Sequence, residues 1–114
     1  MKYDLPLVRS LELDQIKQYI SITDYLAHHG HQPAKMTSKI AWYSAPWRVE
    51  KEPSLAVYYR KNPQDWYDFG EHKGGSIIDL AMKLHNISYK ETMQRLRAIL
   101  KIPNMSPIDI ENPR

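Results

Sequence analysis

The spacing of apolar positions changes period twice along the chain. Leu13, Ile16 and Ile20 recur at three-to-four-residue intervals, which predicts a turn or short helix over about 13–19. Ser21-Ile-Thr-Asp24 then opens a stripe of Ile22, Tyr25 and Leu26, with Gly30 suited to the left-handed position after it, so a helix is expected over about 21–29. The stretch 39–47 is rich in aromatics, and within 54–61 Leu55, Val57 and Tyr59 alternate with Ala56, Tyr58 and Arg60. Both read as strands. Pro63 and Asp65 bound a turn, Trp66 to Phe69 reads as a third strand, and 54–69 is therefore expected to form an antiparallel hairpin. After Gly74-Gly75 the period becomes helical. Ile77, Ile78, Ala81, Met82 and Leu84 make one stripe from Ser76 to about His85, and Ser88-Tyr-Lys-Glu91 is a capping box for a last helix bearing Met93, Leu96, Ile99 and Leu100. The order predicts an α+β domain, a small antiparallel β-sheet flanked by N-terminal and C-terminal helices. Residues 1–101 are assigned to that domain, and 102–114, with three prolines and no apolar period, read as a tail or linker leading into something longer.

Composition narrows the chemistry more than the fold. A chain of 114 residues, 42% of them hydrophobic, suits one domain with one core. There are no cysteines, which excludes disulfides, thiolate metal sites, iron–sulfur clusters and cysteine nucleophiles, and makes a reducing cytoplasm the expected compartment. No apolar run approaches the ~18 residues of a membrane span, and the charged start MKYDLPLVRSLELDQ lacks a signal peptide's apolar segment. The net charge of +3 is mild. It permits a polyanionic partner without requiring one. The positive excess lies towards the C-terminus, where residues 76–101 hold five basic side chains against Asp79 and Glu91. Aromatics are placed differently: eight of the twelve fall between positions 42 and 69, and Trp42, Trp47, Trp66 and Phe69 are expected to form core there.

The runs PWRVEKEPSLAV, WYDFG and KGGSIIDLAM, in that order, resemble the zinc-binding N-terminal domain of bacterial DNA primases, whose finger uses three cysteines and a histidine. Pro46, Trp47, Glu50, Lys51, Pro53, Ser54, Phe69, Gly70, Gly74, Gly75, Ile78 and Asp79 fall where that pattern has them or a near equivalent, over about residues 14–100. The resemblance implies a zinc-ribbon-like sheet. At the family's four ligand positions, however, this chain carries Ala45, Arg48, Asp68 and Glu71. Alanine has no donor atom and arginine is a permanent cation, so a tetrahedral zinc site cannot form there. Asp68 and Glu71 facing Arg48 are expected to make an ion-paired cluster instead, fixing the same loops by charge-assisted hydrogen bonds.

The resemblance also implies that the sheet face binds single-stranded template DNA, with Lys51 and Pro53 in the run where primases keep template-contacting residues. Stacking on Tyr58 or Trp66 and phosphate contacts from Arg48, Lys51, Arg60, Lys61 and Lys73 would supply the chemistry, the last four lining one side of the sheet. The competing reading is a solvated face with ordinary surface charges. Residues 39–73 hold six basic and five acidic side chains, so binding should be weak and salt-sensitive. Lys73-Gly74-Gly75-Ser76 opens a helix but lacks the spacing of a phosphate-binding loop, and a tight turn capped by Ser76 and Asp79 is expected. Gly30 separates His31 from His28 and His29, favouring a solvated helix end over a metal site, while His72 and His85 stand alone.

The expected function is a single-stranded-DNA-binding module of a primase-like bacterial replication or mobile-element protein, cytoplasmic and without a cofactor or membrane partner. It is expected to be non-catalytic, because the family's polymerising centre lies in a separate domain and this chain has no Asp-x-Asp pair. The implied protein partner is a primase catalytic domain or a replicative helicase. The alternative is a protein-interaction module derived from a primase finger that no longer binds DNA, docking through the cationic helix at 88–101 or the aromatic face. The purified protein is expected to hold far less than one zinc per chain and to keep its melting temperature in strong chelator. Elemental analysis near one zinc per chain, or melting shifted by chelator, would overturn the expectation.

Overall fold

The computed structural model describes residues 5–101, the side chains of 5–10 aside. The tail reading of 102–114 lies outside the described residues. The chain runs α1 (Leu5–Tyr19), α2 (Ile22–His28), β1 (Lys35–Met36), β2 (Ala41–Tyr43), β3 (Leu55–Tyr58), β4 (Asp65–Asp68), β5 (Lys73–Gly75), α3 (Ile77–His85) and α4 (Tyr89–Leu100). The five strands form one antiparallel meander in the order β1-β2-β3-β4-β5.

Local chemistry sets the helix boundaries. Ser21 Oγ accepts from Asp24 N at 3.1 Å to start α2, and Gly30 follows that helix at φ +86°, a conformation that favours glycine. Ser76 and Asp79 make the full capping box of α3, Ser76 N donating to Asp79 Oδ2 at 2.8 Å. At α4 only half of the expected box forms: Ser88 Oγ accepts from Glu91 N, while the Glu91 carboxylate pairs with Arg95 at 2.8 Å. The first helix starts eight residues before the expected 13, at Leu5.

Strand pairing divides the sheet into two faces. Ala41, Val57 and Trp66 are register partners on one row, and Tyr43, Leu55 and Asp68 on the next but one, so all six share a face. That face is buried against Ile16, Ile22, Leu26, Ile77, Leu80 and Leu96 of the four helices, in a single core. The intervening row, Lys35–Trp42–Ala56–Tyr67–Gly74, faces the other way. The expected alternation in β3 is therefore present for residues 55–58, although Tyr59 and Arg60 belong to the following turn. Three other expectations are corrected. The strand expected over 39–47 spans only Ala41–Tyr43, because Thr37 Oγ1 accepts from Ile40 N at 2.9 Å and ends the β1–β2 turn there. The two-residue β1 has no period to announce it. Trp42 and Phe69 are not core: Trp42 is half-buried on the outer row and Phe69 is 46% exposed beside it.

This partition predicts unequal costs for removing two aromatic rings. Trp66→Ala is expected to destabilise by about 3–5 kcal/mol as a core deletion, and Phe69→Ala by less than about 1 kcal/mol as a surface change. Urea unfolding of both variants checks this, and equal losses would contradict the assignment of faces.

Candidate nucleic-acid interface

Where the family pattern has metal ligands, the structure has an arginine clamp. Arg48 lies in the β2–β3 loop, and its guanidinium meets Asp68, the last residue of β4, through two parallel bonds: NH1 donates to Oδ2 at 2.8 Å and NH2 to Oδ1 at 2.6 Å. Nε donates to Glu50 Oε1 at 3.1 Å, and NH2 also reaches Ser54 Oγ at 2.6 Å. Asp68 is fully buried and further accepts from Trp47 Nε1 at 3.0 Å and Gly70 N at 2.8 Å. Glu50 accepts from Ala45 N at 2.6 Å and from Ser54 Oγ at 2.6 Å. Glu71 stands at the margin, 3.8 Å from Arg48, and pairs more closely with Lys83 at 2.8 Å. The expected cluster thus forms around Asp68, while Glu71 is peripheral to it. Glu50, Ser54 and Trp47 complete it.

These contacts fix the charge states. Hydrogen bonds donated by Arg48 hold the Asp68 carboxyl well below the ordinary carboxylate range and outweigh its burial, and the same bonds raise Arg48 further. Burial pushes Glu50 up, but bonds from Ser54, Ala45 and Arg48 prevail and leave it lowered. The site does not suit zinc. Ala45 is buried with no donor atom, and a permanent cation occupies the space between the two loops. Among the described residues no group of three His, Asp or Glu side chains is arranged to hold a metal ion.

The predicted contact residues separate. Trp66 is 4% exposed, lies on the inner face, and donates its indole N–H to Ser76 O at 2.8 Å. It offers no ring face to a base, which corrects the stacking reading. All three guanidinium nitrogens of Arg48 are committed to Asp68, Glu50 and Ser54, so Arg48 is a structural group and not a phosphate contact. Lys51 sits in the β2–β3 loop, whereas Arg60 and Lys61 sit in the β3–β4 turn at the opposite end of β3. Lys73 begins β5 as the register partner of Asp68, at the Lys51 end. The four cations therefore flank the sheet at both ends instead of lining one side. Arg60 Nε donates to Ser38 O at 2.7 Å, and Lys61 pairs with Asp65 at 2.6 Å with both side chains well exposed. Tyr58 remains on the outer face, half-buried opposite Asp65.

What periodicity did not reveal is a three-ring cluster on the outer face. Trp42 and Tyr67 stand on either side of Ala56, and Phe69 bridges them with ring centroids 5.8 Å from Trp42 and 4.8 Å from Tyr67. The rings cover Ala56, which is fully buried although its row faces away from the helices. Lys35 continues the row. The signal was available in parity, since Trp42 and Tyr67 lie between inward Ala41, Tyr43, Trp66 and Asp68. The tight turn expected at Lys73-Gly74-Gly75 is corrected, since these residues form strand β5 in register with Asp68, Tyr67 and Trp66. The expected cap holds, with the Asp79 carboxylate accepting from Ser76 N at the α3 N-terminus. His85 is not isolated. Its Nε2 lies 2.8 Å from Tyr25 Oη and its ring 4.6 Å from that of His29.

An α+β domain with this sheet and this pair of β-hairpin loops is the architecture of primase zinc-binding domains. The family model of the CHC2 zinc finger matches residues 8–109, and the chain belongs to that family. Its structure is similar to that of the Aquifex aeolicus primase, a crystal structure of zinc-binding and RNA polymerase domains, with a TM-score of 0.65 and 21% identity. The match covers 90% of this chain and 24% of that one, so the chain spans about a quarter of that structure. No curated protein matches the sequence.

The histidine pair and the clamp together predict a two-step loss of stability in acid. His29 and His85 are both shifted down, by burial first, and then by neighbouring imidazoles and Arg95. The unfolded chain therefore binds protons first, and stability begins to fall below about pH 6.5. Asp68 and Glu50 are lowered as well, so their contribution is complete above about pH 4 and is lost as pH falls further. Asp68→Asn is expected to cost about 3–5 kcal/mol at neutral pH, because it leaves Arg48 partly buried without its partner, and to flatten the lower limb. Urea unfolding across pH tests both, and an unchanged acid limb in Asp68→Asn would remove the clamp as its cause.

Proposed function

We propose that this domain binds single-stranded DNA across the outer face of its sheet, as the non-catalytic module of a primase-like replication or mobile-element protein. The observation that carries the reading is the Trp42–Phe69–Tyr67 cluster, aromatic surface on the sheet face turned away from the four helices, in a CHC2 zinc-finger family member. Phe69 and Tyr67 offer ring faces on which bases stack regardless of sequence. Lys35 in the same row, Lys51 and Lys73 at one end and Arg60 at the other supply cations for a backbone crossing the sheet. The similar Aquifex aeolicus structure contains both a zinc-binding and an RNA polymerase domain, which supports a primase catalytic domain as the partner.

Three neutralised phosphates would give log affinity a slope of about −2 against log salt, each contributing roughly −0.7. Binding is expected to be micromolar at moderate salt and weaker for duplex, whose bases are already stacked. Phe69→Ala should weaken binding by roughly tenfold or more, as loss of a stacking ring worth about 1–3 kcal/mol. Fluorescence titration with a labelled oligonucleotide measures all three. Absence of binding at low salt would discard the DNA reading in favour of a protein-docking face.

A further inference from the structure

The arginine clamp and the aromatic cluster lie on opposite sides of the same short stretch of chain. Phe69 follows Asp68 directly, and its backbone N–H donates to Ser54 O at 2.9 Å. Arg48 grips both residues: NH2 reaches Asp68 Oδ1 and Ser54 Oγ, each at 2.6 Å. On the far side of Phe69, Gly70 N donates to Asp68 Oδ1 at 2.8 Å, and a Cβ added to Gly70 would overlap the guanidinium. His72 N closes the turn on Asp68 O at 2.7 Å. Phe69 itself lies outside the buried core. It is 46% exposed and rests on Trp42 and Tyr67.

We infer that Arg48 is a positioning residue for the stacking face: it sets the backbone of Phe69 from beneath, so that the ring bridges Trp42 and Tyr67. The role rests on the DNA reading above but differs from a phosphate contact in what it requires. A phosphate contact needs only positive charge, which lysine supplies. Positioning needs the planar fork that spans Asp68 and Ser54, which lysine lacks. Gly70 belongs to the same device, because its missing side chain is the space in which the guanidinium lies against the turn.

The experiment compares Arg48→Lys, Gly70→Ala and Phe69→Ala with wild type by oligonucleotide titration over a salt series, with melting temperature recorded for each. Arg48→Lys and Gly70→Ala are expected to melt as folded domains and to bind about tenfold more weakly, near the Phe69→Ala level, with the wild-type salt slope. Adding Gly70→Ala to Phe69→Ala should cost no further affinity. Ring-proton contacts of Phe69 with Trp42 and Tyr67, seen by nuclear Overhauser effect without DNA, should weaken in both clamp variants. Wild-type affinity in Gly70→Ala, retained affinity in Arg48→Lys, or a slope reduced by about one contact in a neutral Arg48→Met variant would overturn the inference. So would unfolding of both clamp variants, which would make Arg48 a support for the whole domain. Failure of wild type to bind, or of Phe69→Ala to weaken binding, would instead discard the DNA reading itself.

Discussion

The bidentate pair between Arg48 and the buried Asp68 sets the geometry of the loops at one end of the sheet, on which the candidate site depends. It joins the long β2–β3 loop to the β4–β5 hairpin, the two segments that a metal joins elsewhere in the family. A structural zinc contributes on the order of 10 kcal/mol or more to small finger domains. A buried ion pair contributes far less in net terms, because removing both charges from water offsets most of their attraction. The clamp is therefore effective only because it is nearly complete. Both Asp68 oxygens have partners, both Glu50 oxygens have partners, and every guanidinium nitrogen is used. It specifies the loop geometry more than it stabilises the domain.

Stability must then come from the inner face of the sheet. Trp66 lies on that face two residues before Asp68, with its ring 5.7 Å from that of Trp47, and Trp47 in turn donates to Asp68 and lies under Lys83. These two indoles link the ion-paired loops to the helical core. The same packing explains why Trp66 is unavailable for binding. A β-strand offers alternate side chains to opposite faces, and the register that buries Trp66 and Asp68 necessarily turns Tyr67 outward.

Much of the domain was legible in the sequence. Ser21, Ser76 and Ser88 cap helices where their spacing placed them, because capping is a contact over three residues. Alternation in β3 likewise reports which face each side chain takes, although Ala56 on the outer face is as buried as its neighbours. The candidate site was less legible, since its partners lie far apart. Arg48 finds Asp68 across twenty residues and Phe69 finds Trp42 across the intervening strand β3, and no local period encodes either. Trp42 and Phe69 were misplaced as core for one reason: hydrophobicity says that an aromatic ring seeks cover, but only pairing says which face has it; Trp66, expected both as core and as a stacking ring, is core. Phe69 lies one residue past the end of β4, where parity no longer applies.

A guanidinium clamp also changes what can disturb the domain. Zinc held by thiolates responds to chelators and oxidants, and a cysteine-free ion pair responds to neither. Its remaining weakness is the protonation of Asp68, which the clamp itself suppresses by favouring the carboxylate. Salt acts little on a pair whose acid is wholly buried, whereas it acts strongly on cations at an open sheet face. On the proposed reading, support and binding surface answer to different conditions although Phe69 follows Asp68 directly. Ionic strength would then release single-stranded DNA from the outer face while the hairpin beneath it keeps its shape.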